Sequence, residues 1–525
     1  MKTIFYTIAC LSVVLAAQYA AAQAPDIEWK NVYSRGAAEE GTHVAQTADG
    51  GYIASGVAAS FFWVFKLDAG GTQQWEKYVT SGTGLTKIYD VRQTSDGGYI
   101  AAGSDFTTGA TDSTGNRGIR DFFLVKLDNG GNVSWMKCLG GSLNEEAQSV
   151  EQTADGGYIV AGYTSSDDSD VTGWQGSADY WVVKLDASGN ITWQKTLGGA
   201  SDDRANSVMQ TADGGYIVAG YAQSKSGDVT GTHWGGSDPD VWVVKLDASG
   251  NIAWQQSYGG SGEDRAYAVR QTGDGGYIVA GSTTSSDGNV SGKHGTSHGN
   301  QDYWVIKLDA SGSLTWQKCL GGTGNDIAYS VRQTSDSGYI VAGTASSGDS
   351  TDSDISGYHG HTGSDYWVVK LDASGNISWQ KCLGGSGTED ARSIEQTSDG
   401  GYIVMGSTMS SPDGDVNETE LLYHHVWIVK LKGTGGSGNG IGAVSGSDLT
   451  AIYPNPAGDR VTVTNIPAGS VLSITDMTGK LMYRSAATHA QETIRTAGFA
   501  NGVYIVQLKS EGSGRVAAHR LVVNR

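Results

Sequence analysis

The chain has 525 residues, 35 Lys and Arg against 55 Asp and Glu, a formal net charge of -20, 78 glycines and only 6 prolines. That length holds several ordinary domains, or one long repeat array with an accessory. The acidic balance argues against a nucleic-acid backbone as ligand, because phosphate binding runs on clustered Lys and Arg; cations, neutral glycans and other proteins fit the field better.

The N-terminus, MKTIFYTIACLSVVLAAQYAAAQA, has one Lys, an apolar run from Ile4 to Ala17 and small residues up to Ala22. It predicts a secretory signal peptide over residues 1–22. Cys10 lies too early, behind too short an apolar run, for a lipoprotein anchor, and no later stretch approaches 18 consecutive apolar residues. Behind the leader remain Cys138, Cys319 and Cys382, all in the context KCLGG, where other copies of the motif have Tyr78, Thr196 and Ser257. A column that accepts Cys, Thr, Ser and Tyr is a packing position rather than a disulfide framework or a nucleophile.

From Asp26 onward the chain repeats itself. QTADGGYIVAG runs from Gln152 and again from Gln210, with near copies from Gln46, Gln93, Gln271, Gln333 and Gln396. A period of this length points to propeller blades or a solenoid. Each period contains four candidate strands, in one copy the run at Ser207–Gln210, YIVAGY from Tyr216, DVWVVKLD from Asp240 and NIAWQQSY from Asn251. Asp-Gly-Gly supplies positive φ for a tight hairpin, LDASGN makes a second, and the unalternating YIVAG reads as a strand covered on both faces.

The phase of the repeat predicts how it closes. IEWKNVY, at the start of the mature chain, is a fourth strand without partners, and the last period ends at HVWIVKLK without its fourth. Joining the two orphans completes a seventh sheet and removes the exposed edges. The predicted fold is all-β: a seven-bladed β-propeller over residues 27–432, closed by an N-terminal outer strand. The turn KLDASGNITW resembles the tryptophan-docking turn of quinoprotein propellers, which implies that Trp29, Trp75, Trp135, Trp193, Trp254, Trp316 and Trp379 each pack on a neighbouring blade. It gives no reason to expect the quinone cofactor.

Functional residues are expected where the copies differ, in the loops after YIVAG. Five loops share a pattern: DDSDVTGWQG, SGDVTGTHWG, SDGNVSGKHG, TDSDISGYHG and PDGDVNETE. Oxygen-bearing pairs two residues apart, Asp168 with Asp170, Asp287 with Asn289, Asp352 with Asp354 and Asp413 with Asp415, are either candidate Ca²⁺ ligands or turn-makers bonding nearby backbone. Seven of the ten histidines also lie in these loops. His233, His294 and His359 recur at one repeat position, which suits a shared turn role, and His298, His361, His424 and His425 are the candidates for metal or acid-base chemistry. Trp174, Trp234, Tyr358 and Tyr423 are candidate stacking residues for sugars. Seven residues before each repeated Gln stand Glu39, Glu145, Asp203, Asp264, Asp326 and Glu389, with Thr86 in the second blade. That column predicts either an acidic rim at the central opening or carboxylates that bond the backbone of the adjacent blade.

After Lys432 comes GTGGSGNGIGAVSGSD, a flexible linker over 433–448. Beyond it the motifs change to YPNPAGDRVTV, SITDMTGKLMY, ANGVYIVQL and HRLVV, which include Tyr453, Pro454, Asn455, Pro456, Gly479, Gly502 and Tyr504. Over residues 449–525 they resemble the C-terminal sorting domain of the Bacteroidetes type IX secretion system. The resemblance implies a small β-sandwich recognised by that secretion machinery, and a protein secreted or held at the outer-membrane surface of a Gram-negative cell. The combined expectation is an adhesin-like binding propeller for glycan or protein, with Ca²⁺ as its candidate cofactor; the alternative is a polysaccharide-active enzyme, such as an endoglucanase or a lyase, using the same loop face.

Overall fold

The structure, a computed structural model, describes residues 23–433 and 451–523 apart from 36–37, 59–60, 80–84, 107–116, 232–237, 296–298, 347–352, 361–362, 411, 418–422, 454–459, 465, 467–469, 477–479, 487–490, 501 and 511–515. The expected leader and most of the linker lie outside the described residues. The chain divides into two compact units, Met1–Gly433 and Thr434–Arg525.

The first unit is a ring of seven antiparallel four-stranded sheets. Six use strands in chain order. The seventh is assembled from both ends, with Ile27–Tyr33 pairing antiparallel to His425–Leu431 outside Tyr402–Thr408 and Glu389–Gln396. The first strand of each blade touches the first strands of its neighbours, and Glu39–Gln46 meets Glu389–Gln396, so the ring is closed with the first strands at its axis.

The fourth blade shows why the repeated letters are needed. Its strands are Asp203–Gln210, Tyr216–Ala222, Asp240–Leu246 and Ile252–Tyr258. Gly214 turns the first hairpin at φ 83°, where a Cβ would be strained; the sixth blade places Ser337 there, at φ 67°. Gly215 is needed for closeness instead, since a Cβ would stand 2.5 Å from Lys245 Nζ. The second and third strands are buried between blades: Tyr216, Val218, Trp242 and Val244 pack with Ile159, Ala161, Tyr180 and Val182 of the blade before.

Two further columns join blade to blade, and a third ties each blade to its own hairpin. Trp193 meets Tyr216 of the next blade edge-on at 5.6 Å and lies beneath Gly250, φ 80°, whose Cβ would come within 2.9 Å of the indole. The repeated Gln reaches back to the preceding hairpin, as Gln271 Oε1 does to Ala212 N at 2.8 Å, and at the closure Gln46 Oε1 accepts from Ser398 N at 2.7 Å. In the third column the lysine of KLD is buried and its ammonium meets the hairpin aspartate, Lys245 to Asp213 at 2.9 Å. The same contact recurs in all seven blades, from Lys66 with Asp49 to Lys430 with Asp399. Cys138, Cys319 and Cys382 are buried thiols.

The second unit is a β-sandwich of a three-stranded sheet, with Arg460–Thr464 at its centre, and a four-stranded sheet holding Ser470–Asp476 and Gly502–Ser510. Val461, Ile474, Ile494, Tyr504 and Leu508 fill the space between. Tyr504 donates to Ala500 O at 2.8 Å and packs on Phe499. Tyr453 stands in the strand Ala451–Tyr453 and Gly502 opens Gly502–Ser510; Pro454, Asn455, Pro456 and Gly479 lie outside the described residues.

Candidate functional site

Against seven copies of one scaffold, the positions that refuse to repeat lie on the first strands. One residue before the repeated Gln stand Ala45, Arg92, Glu151, Met209, Arg270, Arg332 and Glu395; four before it stand Thr42, Tyr89, Gln148, Asn206, Tyr267, Tyr329 and Arg392. Each first strand carries a register shift at this level, between Ala147 and Ser149 in the third blade and between Ala266 and Ala268 in the fifth. A bulge puts two successive side chains on the same face. The residues three and four before the Gln therefore both turn to the axis, which strict alternation forbids. Together they line a hollow of about 90 Å³ to which all seven blades contribute.

The axis is densely charged. Arg92, Arg270 and Arg332 share it with Asp90, Glu151 and Glu395, and Arg92 Nε lies 3.0 Å from Asp90 Oδ1. Burial, then repulsion from Arg92, brings the Arg270 guanidinium down to about 10, and burial with Arg270 beside it lowers Arg332. Burial, aided by Arg92, lowers His43 well below the usual histidine range and leaves it neutral. Burial would raise Asp90, but the Arg92 guanidinium and the backbone N–H of Val150 prevail and hold it down, so it stays an anion. Above this constriction Arg residues lie over tyrosine rings: Arg204 over Tyr163 at 4.2 Å, Arg265 over Tyr221 at 4.5 Å and Arg392 over Tyr329 at 4.1 Å, with Tyr267 against Tyr329 at 5.0 Å. Planar cations stacked on rings, partly open to solvent, can grip hydroxyl-bearing or anionic groups of a ligand.

The described loop aspartates and their partners bond backbone. Asp168 Oδ1 accepts from Ser142 N and Asp287 Oδ1 from Ser261 N, both at 2.7 Å. Asp413 accepts from Ser386 N at 3.1 Å, and Asp170, Asn289, Asp354 and Asp415 donate their backbone N–H to Gly140, Gly259, Gly321 and Gly384. Each of these loops thus clasps the Gly-Gly connector that leads from the preceding blade, as backbone-bonding turn residues do. Asp352, His298, His361, His233 and Trp234 lie outside the described residues. His294 Nδ1 and His359 Nδ1 bond Asp302 and Asp365 at 3.0 and 2.9 Å. His425 is buried with Nδ1 2.5 Å from Glu39 Oε2, and His424 O accepts from Glu39 N. Tyr358 braces its own loop by donating to Gly363 O, whereas Trp174 and Tyr423 are 36% and 53% exposed.

The acidic column is fully buried and does not form a solvent-facing rim: Glu39, Glu145, Asp203, Asp264, Asp326 and Glu389 are all 0% exposed. Glu145, Asp203, Asp264, Asp326 and Glu389 accept N–H groups from Gly141, Gly199, Gly260, Gly322 and Gly385 of the preceding blade at 2.8–2.9 Å. The axial residues lie on the first strands, away from the variable loops where functional residues are expected. Their signal was there, as the few columns of a strict repeat in which Ala, Arg, Glu and Met alternate freely.

A family model for the secretion system C-terminal sorting domain matches residues 451–524. The second unit is such a sorting domain, and the protein is secreted or displayed at the surface of a Bacteroidetes-type bacterium. Among the described residues no helix is long and apolar enough to cross a membrane. The regulatory protein FlaEY of Caulobacter vibrioides is 26% identical over 166 residues, covering 30% of this chain; the chain spans 17% of that protein's length. Among solved structures, PorZ, a surface component of the type-IX secretion system of Porphyromonas gingivalis, aligns over 92% of this chain and 81% of its own at 12% identity and a TM-score of 0.24. Drosophila plexin A, in complex with semaphorin 1b, aligns over 78% and 88% at 9% identity and a TM-score of 0.40.

Proposed function

We propose that this exported propeller is a recognition module, adhesin-like, that binds a glycan or a protein at the axial mouth on its loop face. The observation that supports the reading is the division of the repeat. Columns that hold blades together are copied seven times, while the axial columns diverge and collect the Arg and Tyr side chains typical of binding hot spots. Exposed Trp174 and Tyr423 extend an aromatic surface onto the surrounding loops.

Retention of the mature chain on arrayed surface glycans and outer-membrane proteins tests this, with Tyr267→Ala and Arg265→Ala as variants. Both side chains are partly open and belong to no scaffold column, so the variants are expected to fold with unchanged melting temperature. Each is expected to weaken saturable retention about tenfold, as loss of one hot-spot residue does. Retention unaffected by both variants overturns the axial site. Release of products from a polysaccharide panel replaces the binding reading with that of a glycoside hydrolase or lyase.

A further inference from the structure

Five of the seven blade junctions bury two carboxylates against each other. The third strand of one blade begins with an aspartate and the first strand of the next with a carboxylate: Asp121 with Glu145, Asp179 with Asp203, Asp240 with Asp264, Asp302 with Asp326 and Asp365 with Glu389. Asp240 is 2% exposed and the other nine 0%. Within each pair, oxygens converge on the first glycine of the connector. A Cβ at Gly140 would stand 2.6 Å from Glu145 Oε2 and 2.8 Å from Asp121 Oδ1; at Gly384 the distances to Glu389 Oε2 and Asp365 Oδ1 are 2.6 and 2.7 Å.

At four of the five pairs the converging aspartate oxygen is the one left over. Asp121, Asp179, Asp302 and Asp365 each take a backbone N–H on Oδ2, from Arg117, Gln175, His294 and His359. Their Oδ1 atoms are buried and accept no hydrogen bond. Such an atom forfeits its hydration without replacement, and the same loss recurs at four junctions.

The two remaining junctions break the pattern in a telling way. Where the seventh blade meets the first, His425 replaces the aspartate and reaches Glu39 directly at 2.5 Å. Where the first meets the second, both carboxylates are gone, replaced by Phe61 and Thr86. So the aspartate occurs only opposite a carboxylate, and the one carboxylate that lacks it faces an imidazole nitrogen. We propose that each of the five pairs is a site for a hard divalent cation of the Ca²⁺ type, bridging adjacent blades behind the loop clasps. Two opposed carboxylates suit such an ion, which takes six to eight oxygens and completes its shell with backbone carbonyls and water. Among the described residues no group of three His, Cys, Asp or Glu side chains converges as a metal centre, so backbone and water must supply most of the shell. This inference is independent of the axial site.

Calcium titration of the chelator-stripped full-length protein at pH 8, followed by equilibrium dialysis and thermal melting, tests it. Binding of about five ions per chain with a raised melting temperature is expected, from one ion per pair. Asp179→Asn is expected to remove one ion, and the loop variant Asp168→Asn none. His425→Asp recreates the missing pair and is expected to add one, a gain that misfolding cannot imitate. Absence of binding by Ca²⁺, Mg²⁺ and Mn²⁺ overturns the proposal and leaves each pair sharing a proton. Loss of an ion in Asp168→Asn, with none lost in Asp179→Asn, overturns it in favour of loop sites.

Discussion

The two rims of the propeller use the same side chain in opposite ways. At the hairpin rim each aspartate stands in solvent against a buried lysine: Asp213 is 63% exposed and Lys245 only 6%. Hydrogen bonds from Thr211, Lys245 and Gly215 outweigh its partial burial and hold Asp213 down to about 2. At the loop rim, burial drives Asp121 and Asp179 up to about 7, with Glu145 and Asp203 respectively adding to the rise. A carboxylate's proton affinity is set by what faces it and not by its column in a repeat. The hairpin rim is a closed electrostatic arrangement, repeated seven times. The loop rim is open, complete only when something positive or a proton is added.

Changing pH tests this contrast most broadly, because several sites on each rim titrate together. Hairpin carboxylates, depressed from the unfolded value of about 4, contribute stability that is present above that pH and lost as pH falls towards 2. Junction carboxylates are raised, Asp264 to about 7 and Asp365 to about 6, burial being the chief cause. Their contribution is complete below about pH 4 and lost as pH rises through 6 to 7. The melting temperature of metal-free protein is therefore expected to peak near pH 4 to 5, from these opposed shifts, and a scan that rises steadily to pH 8 contradicts the account of the loop rim.

Paired substitutions sharpen the comparison at single sites. Asp213→Ala strips buried Lys245 of its carboxylate and is expected to cost about 2 kcal/mol, less than the 3 to 5 of a fully buried pair because water screens the aspartate. Asp179→Asn in metal-free protein at pH 8 should carry the opposite sign, gaining about 1 kcal/mol as like-charge repulsion is relieved. Urea denaturation of both variants measures the two effects, and equal signs would erase the distinction between the rims. The smallest effect belongs to the one irregular hairpin. Ser337→Gly relieves a positive-φ serine and is expected to gain about 0.5 kcal/mol, the strain being partly offset by the entropy of glycine; a loss would mean that the serine side chain contributes something the backbone angle does not reveal.

Much of the architecture was legible because the repeat states it seven times. YIVAG was recognisable as a strand buried on both faces, Asp-Gly-Gly as a hairpin, and the cut between IEWKNVY and HVWIVKLK as a closure, since each rests on contacts along the chain or with the next blade. The sorting domain was legible from its own motifs. The candidate site was not: Arg92, Tyr267 and Arg332 read as ordinary variation in a strand, and the loop aspartates drew attention because ligand-like spacing and backbone-bonding turns use the same residues.

Sequence alone determined the number of blades, their phase and the join, because a residue repeated at a fixed interval needs only a neighbour to explain it. Tertiary structure decided what faces the axis and what is buried. A bulge in each first strand turns two successive side chains inward, and closure brings Ser398 to Gln46, 352 positions away. Only that closure brings seven unlike strands to one axis and sets Asp179 against Asp203 beyond the reach of water; burial and charge neighbourhood are properties of the assembled ring that no local pattern encodes.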